Sequence, residues 1–146
     1  MAVLQFRNVL GGSIPLKKGT AAEAIARGCP VYRVAASGAL AAVATNGTKL
    51  LGFAASAAAA GAELDYVPLY PGVEALLDFS GDYAASKLGT YVALTVSAGV
   101  PTANLNKADA DALKLEELVA DDAARNLHRA WFSAAATANQ TVVEVA

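Results

Sequence analysis

The sequence contains one cysteine and one histidine, and this scarcity limits the chemistry that the chain can perform. One cysteine cannot form an intrachain disulfide, and a zinc site normally needs several histidine and cysteine ligands. A nucleophile activated by an imidazole would need His128, whose neighbours Arg129 and Trp131 are typical of a structural strand. Cys29 directly precedes Pro30 and is interpreted as a small buried residue. The sequence therefore predicts no metal site and no catalytic triad.

Nucleotide-binding loops and acidic metal loops are also missing. No G-x-G-x-x-G or G-x-x-x-x-G-K-[ST] pattern occurs. The DAD sequence at residues 109–111 resembles the start of an EF-hand loop but lacks the glycine and glutamate that such a loop needs. The pairs Glu116-Glu117 and Asp121-Asp122 would each point to opposite faces of a strand, so both are interpreted as solvated charge. We therefore expect no cofactor and no enzymatic activity.

The small number of charges narrows the class of partner. The net charge is -2 and the isoelectric point is about 5.3. The basic residues are scattered, and they include Lys17, Lys18, Arg27, Arg33, Lys49 and Lys87. Nucleic acid is not an expected partner, because phosphate binding needs a concentrated basic surface, and Lys17-Lys18 is interpreted as a solvated loop pair. The uncharged stretches fall short of the ~20 apolar residues of a membrane span, and no secretory signal is recognised, so we expect synthesis in a cytoplasm and no membrane contact.

Short apolar runs separated by turn residues dominate residues 28–81. The runs are PVYRVAA at 30–36, ALAAVAT at 39–45, KLLGFAA at 49–55, ELDYVPLY at 63–70 and VEALLDF at 73–79. Ser37-Gly38, Asn46-Gly47, Gly61 and Pro71-Gly72 lie between them and suit tight turns. Strands that recur at roughly 8 to 12 residues are typical of a barrel or sandwich. We expect a loop or one helical turn at residues 57–60.

The remaining sequence continues the same pattern. Further strands are expected at residues 90–97 (TYVALTVS), 100–105, 127–134 and 141–145 (TVVEV), with a helical turn or loop at 83–88. The segment at 113–119 begins with a period of two residues and ends nearer a helical spacing. A strand followed by a short turn at 121–126 is favoured there, and one helix over 108–124 is the alternative. The predicted fold class is all-β, a compact β-barrel with short helical turns.

The first residues form a separate question. Residues 1–10 alternate loosely and carry one charge, and Gly11-Gly12 follows them. Residues 1–12 are therefore predicted to be an N-terminal arm or an edge strand, and residues 13–146 a single β-barrel domain. Exposed apolar side chains normally mark an interaction site. The candidate assembly contacts share an apolar side chain in this segment, and they are Val3, Leu4, Phe6, Val9 and Leu10.

Several short motifs carry a family resemblance. They are GCPVYRV at residues 28–34, LGFA at 51–54, AGAEL at 60–64 and Gly72-Val73. This series resembles the small β-barrel cement, or head decoration, proteins of tailed bacteriophages, over about residues 25–96. The resemblance implies a structural protein without an active site. It further implies a homotrimer that binds the outer surface of an icosahedral shell and clamps neighbouring subunits of the major capsid protein.

Two other functions remain open from the residues. A non-viral β-barrel module could bind carbohydrate or peptide through a groove lined by Tyr66, Tyr70, Tyr83 and Tyr91. An enzyme subunit could take part of its catalytic residues from another chain. Binding to virus particles would separate the capsid protein from both alternatives.

Overall fold

The computed structural model describes residues 5–45, 50–108 and 113–134. Its strands are β1 (Gln5–Asn8), β2 (Lys17–Thr20), β3 (Pro30–Arg33), β4 (Leu40–Ala42), β5 (Gly52–Ala54), β6 (Glu63–Pro68), β7 (Val73–Ser80), β8 (Tyr91–Ser97), β9 (Val100–Asn104), β10 (Leu113–Asp122) and β11 (Leu127–Ala134). The helical segments in these ranges are the single 3-10 turns Ala85–Lys87 and Ala123–Arg125. The predicted all-β fold with short helical turns is confirmed.

Five strands close a barrel in the order β7-β11-β10-β8-β9. The neighbouring pairs are antiparallel except at the closure, where β9 runs parallel to β7 and Phe79 lies opposite Ala103. Strand β1 pairs with the first half of β7, along the edge opposite β11. Closure removes most of the free strand edges that would otherwise invite pairing with another chain. The predicted barrel is therefore confirmed.

A second sheet packs against the barrel, in the order β2-β6-β5-β3-β4. One core cluster joins the barrel interior to this sheet, and its largest fully buried side chains include Leu50, Phe53, Leu69, Leu94, Leu113, Leu115 and Phe132. A smaller cluster, with Ile25, Val31, Leu40 and Leu64, fills the other face of the sheet. Each such side chain contributes roughly 1.5 to 3 kcal/mol on burial. The second sheet thus has a core cluster on each of its two faces, while its edge strand β2 is largely exposed.

Gly52 shows how closely β5 and β6 approach each other. A β-carbon at this position would lie 2.1 Å from the carbonyl oxygen of Val67. No side chain can occupy that space, because the obstacle is backbone. The glycine of the LGFA motif is therefore a packing requirement of the second sheet.

Two irregularities in β10 explain the mixed periodicity of its sequence. The β10–β11 register shifts between Leu115 and Glu117 and again between Leu118 and Ala120. Each shift inserts an extra residue and reverses the alternation of side chains between the two faces. The strand prediction for residues 113–119 is confirmed, and the alternative of one helix over 108–124 is wrong.

The structure corrects two expectations for the first part of the chain. Lys17 and Lys18 lie in the edge strand β2, where they pair with Tyr66 and Asp65, and not in a loop. The sequence at residues 20–27 is compatible with one helical turn or a first strand, but the structure has neither over that length. Thr20 ends β2, and isolated bridges and single backbone hydrogen bonds hold the residues after it. The sequence predicts no strand at β2, because KKGT lacks an apolar alternation.

The N-terminal segment is a strand over Gln5–Asn8. Phe6 is partly buried and packs against the main core cluster, with its ring centroid 6.1 Å from that of Phe53 on β5. Val3, Leu4, the Asn46-Gly47 turn, residues 109–111 and the strand predicted at 141–145 lie outside the described residues. Within the described ranges, no helix has the length and apolarity to cross a membrane.

Candidate functional site

A row of polar side chains crosses the outer face of the barrel. Its members are Arg7, Glu74, Ser133, Lys114 and Tyr91; Arg7 lies opposite Glu74, Ser133 opposite Lys114, and Lys114 opposite Tyr91. Ala75 and Phe132, which are adjacent in sequence to Glu74 and Ser133, pair with each other and are buried in the core. The row therefore follows directly from strand alternation and register.

Arg7 and Glu74 form one end of this row. The Nε and Nη2 atoms of Arg7 lie 2.8 and 2.7 Å from one oxygen, Oε1, of Glu74. Nη1 donates a hydrogen bond to Glu117 at 2.5 Å, and the guanidinium carbon lies 4.5 Å from the centre of the Trp131 ring. Burial lowers the pKa of Arg7, but hydrogen bonds to Glu117 and Glu74 outweigh this and leave the pKa raised above its ordinary value. Arg7 is thus a permanent cation on the sheet.

Glu74 is almost completely buried, with 4% of its surface exposed. It is the one buried charged residue among those that the structure describes. An ionised carboxylate tolerates such burial only when a cation and hydrogen bonds compensate it. Arg7 provides both, and it is the single charged side chain among the first ten residues of the sequence.

The first bulge of β10 places both glutamates of the Glu116-Glu117 pair on the outer face. Glu117 accepts a hydrogen bond from Arg7, while Glu116 accepts one from the Ser133 hydroxyl at 3.2 Å. The ammonium of Lys114 lies 3.6 Å from Glu116. The expectation that these two carboxylates point to opposite faces is therefore wrong, because the bulge interrupts the alternation.

Two adjoining depressions open on this face, with volumes of about 440 and 660 Å³. Val9, Glu74 and Glu116 line both of them. The first also contains Leu10, Tyr70, Tyr91 and Lys114, and the second Arg7, Tyr83, Leu88 and Glu117. We call Glu74, Glu116 and Glu117 the carboxylate floor.

Exposed apolar side chains surround the carboxylate floor. The described residues include seven large hydrophobic side chains that are exposed, and four of them line these depressions. These four are Val9, Leu10, Leu88 and Tyr91, which we call the apolar rim. Leu10 is the most exposed, at 76%, and it packs against Gly72. Exposed apolar side chains gathered on one face normally mark an interaction site.

The tyrosines considered for a carbohydrate groove do not all share one site. Tyr70 and Tyr91 line the first depression and Tyr83 lines the second. Tyr66 is buried, and its hydroxyl accepts a hydrogen bond from Arg33 at 3.0 Å. The two depressions therefore bring together three of the four tyrosines.

Cys29 and His128 lie away from the depressions. Burial raises the pKa of the Cys29 thiol to about 11, so the thiol stays neutral near pH 7 and is a poor nucleophile. Nδ1 of His128 lies 2.8 Å from a carboxylate oxygen of Asp121, and the imidazole packs on Phe79. Across residues 5–45, 50–108 and 113–134, no group of three or more histidine, cysteine or acidic side chains could hold a metal ion.

Of the predicted assembly contacts, Val9 and Leu10 lie on the apolar rim, whereas Phe6 is partly buried and packs against the core. Sequence reasoning missed the carboxylate floor. Glu74 did give a signal, because VEALL is a buried strand with one charge and such a charge needs a partner. The bulge at Glu116 gave no distinct signal, because the spacing of apolar residues around it in the sequence also fits a helix.

The comparison with known proteins adds no family. The chain matches no protein-family model, and a search of curated proteins finds no match.

Proposed function

We propose that the chain is a structural virion protein, a cement or head decoration protein that binds the outer surface of an icosahedral phage head. It acts as a homotrimer and clamps neighbouring subunits of the major capsid protein. The observation that carries an assembly role is the concentration of Val9, Leu10, Leu88 and Tyr91 on one face. In this function no residue is catalytic, and neither membranes nor nucleic acid are binding partners.

The capsid as partner comes from the sequence motifs. GCPVYRV contains β3, LGFA contains β5 and AGAEL leads into β6. These three strands are neighbours in the second sheet, in the order β6-β5-β3. The resemblance to decoration proteins therefore covers a contiguous structural unit rather than scattered positions.

The apolar rim can supply useful binding energy. Covering Leu10 and Val9 would contribute roughly 1.5 to 3 kcal/mol for each side chain before ordering costs. Three copies in one trimer act at high effective concentration, so modest contacts per subunit become tight attachment. A small subunit could thus hold a shell without a large interface.

The strand at Gln5–Asn8 changes how the N-terminal segment should be tested. Deletion of residues 1–10 would remove β1, the Phe6 core contact and the cation that compensates Glu74. Such a deletion would unfold or weaken the barrel and would say little about attachment. Point substitutions on the rim separate assembly from folding.

Leu10→Asp is the sharpest test of the proposal. Leu10 is exposed, so the variant should keep the unfolding free energy within about 0.5 kcal/mol of the wild type. Attachment to emptied heads of the encoding phage, measured by co-sedimentation, should fall at least about tenfold, because one leucine is worth more than 1.4 kcal/mol when covered. Light scattering of the wild type should give three times the 14.7 kDa of one chain.

Val100→Asp is the matched control. Val100 is also exposed, at 37%, but it lies at the start of β9 and lines neither depression. It should bind heads as the wild type does. Equal binding by Leu10→Asp and the wild type, or a monomeric wild type that binds no heads, would contradict the proposal.

A ligand-binding module remains the second candidate function, because Tyr70 and Tyr91 share one depression with Glu74 and Ser133. Aromatic rings beside hydrogen-bonding groups are typical of small-molecule pockets. Isothermal titration with oligosaccharides would favour this function if binding is lost in Tyr91→Ala and heads are not bound.

A further inference from the structure

The depressions have an excess of negative charge. Three carboxylates, those of the carboxylate floor, face two cations, Arg7 and Lys114. Arg7 is already shared between Glu74 and Glu117. Lys114 lies 3.6 Å from Glu116, beyond the length of a good hydrogen bond. The side chains that line the depressions therefore carry one more negative than positive charge, on a surface otherwise walled by apolar side chains. A further cation is outside the lining, where Nζ of Lys17 lies 5.5 Å from the centre of the Tyr70 ring.

The buried position of Glu74 makes this deficit more significant. Arg7 engages only one of its two carboxylate oxygens. The second oxygen has no hydrogen-bond partner among the described residues. Every fully buried side-chain oxygen or nitrogen in that part of the chain has a partner, so this oxygen is not fully buried. Since Glu74 lines both depressions, its second oxygen opens into them. A cation that enters the floor would meet a carboxylate largely shielded from water, where a charge-assisted hydrogen bond is strong.

We infer that the two depressions receive one lysine or arginine side chain of the partner protein, flanked by apolar residues. The cation binds between Glu74 and Glu116, and the flanking residues cover Leu10, Val9 and Tyr91. The inference rests on the proposed assembly role and names the chemistry of the partner segment. Charge complementarity selects this occupant, because an acidic segment would place like charges beside the floor and a purely apolar one would leave the carboxylates unpaired.

The test uses the full chain and three capped peptides that differ at one position. The peptides are acetyl-Leu-Lys-Leu-amide, its norleucine analogue of similar length without charge, and its glutamate analogue. Titrations followed by amide NMR signals should show shifts at Val9, Leu10 and Tyr91 with the lysine peptide. Its Kd should be at least about tenfold below that of the norleucine peptide, and raising the salt from about 0.05 to about 0.5 M should remove most of this difference.

Two variants of the protein locate the effect. Glu116→Gln keeps the size of the side chain and removes one floor charge, so it should weaken the lysine peptide by about threefold or more without changing the norleucine peptide. Glu63→Gln is the matched control, since Glu63 lies on β6 and pairs with Lys18 in the other sheet. It should leave both affinities unchanged.

The outcomes separate this inference from the proposed function. Equal binding of the lysine and norleucine peptides would overturn it in favour of an apolar segment, and tighter binding of the glutamate peptide or no binding at all would also overturn it. If the peptides fail while Leu10→Asp still loses attachment to heads, the assembly role stands without the cation. If the lysine peptide binds as expected but heads are not bound, the capsid is the wrong partner and the cation-binding surface stands.

Discussion

Replacing Arg7 by methionine removes the positive charge that compensates the buried carboxylate of Glu74. The substitution keeps an unbranched apolar stem and removes the guanidinium, which contacts Glu74 and Glu117 and lies over the Trp131 ring. Breaking a fully buried ion pair by removing one partner costs about 3 to 5 kcal/mol. The Arg7 side chain is 31% exposed, so water can reach the vacated position, and we expect a loss of about 2 to 3 kcal/mol.

The assay is urea unfolding of three variants followed by far-ultraviolet circular dichroism. The double variant Arg7→Met/Glu74→Gln removes the uncompensated charge and should regain at least about 1 kcal/mol relative to Arg7→Met. Lys18→Met is the matched control, because Lys18 is 64% exposed and its ion pairs with Glu63 and Asp65 should contribute less than about 1 kcal/mol. The reasoning is refuted if Arg7→Met is no less stable than Lys18→Met, or if the double variant is as unstable as the single one.

Three further predictions concern packing and pH. Gly52→Ala should lower the free energy of unfolding by about 3 kcal/mol or more in urea titrations, because its methyl group would meet the carbonyl oxygen of Val67. A methyl group at Gly38 meets no atom within 4 Å, so Gly38→Ala should cost only the ~1 to 2 kcal/mol of placing alanine in a left-handed backbone conformation. Trp131→Ala should cost about 1 to 2 kcal/mol of stability, since the indole is half-buried on the outer face. Phe132→Ala should cost about 3 to 5 kcal/mol, because Phe132 is a core residue. Thermal unfolding that ranks the two variants in the opposite order would contradict this placement. Burial raises the pKa of the folded Cys29 thiol to about 11, against 9.0 for a free thiol. The stability that this thiol contributes is fully present below pH 9 and is lost as the pH rises through 11. In pH-dependent melting experiments the wild type should therefore lose more stability than Cys29→Ala over that window.

Trp131 shows that membership of a strand does not decide whether a side chain is buried. The sequence marks residues 127–134 as a strand, and the structure has β11 at those residues. Whether a given member of the strand faces the core depends on its phase relative to neighbouring strands. Ala130 and Phe132 point inward and Trp131 outward, although the aromatic residues look equivalent in the sequence. A loss of about 3 to 5 kcal/mol would be expected only of a core indole.

The fold class was determined by local signals in the sequence. Turn residues such as Ser37-Gly38 and Pro71-Gly72 separate apolar runs that are too short for helices, and this spacing suffices to predict strands and a barrel. The single cysteine and histidine likewise limit the chemistry without reference to any fold. These features need only neighbouring residues, because turn conformation and strand alternation are properties of the local backbone.

The candidate site was decided by the tertiary structure. Arg7 and Glu74 are 67 residues apart and Arg7 and Glu117 are 110 apart, so only the pairing of β1 with β7 and the bulge in β10 bring them together. A shift of one residue in either register would reverse which side chains face the depressions. The register depends on how the whole apolar core packs, and no local pattern encodes it. The sequence could therefore supply Val9 and Leu10 as exposed apolar contacts, but the carboxylate floor beside them exists only in the folded barrel.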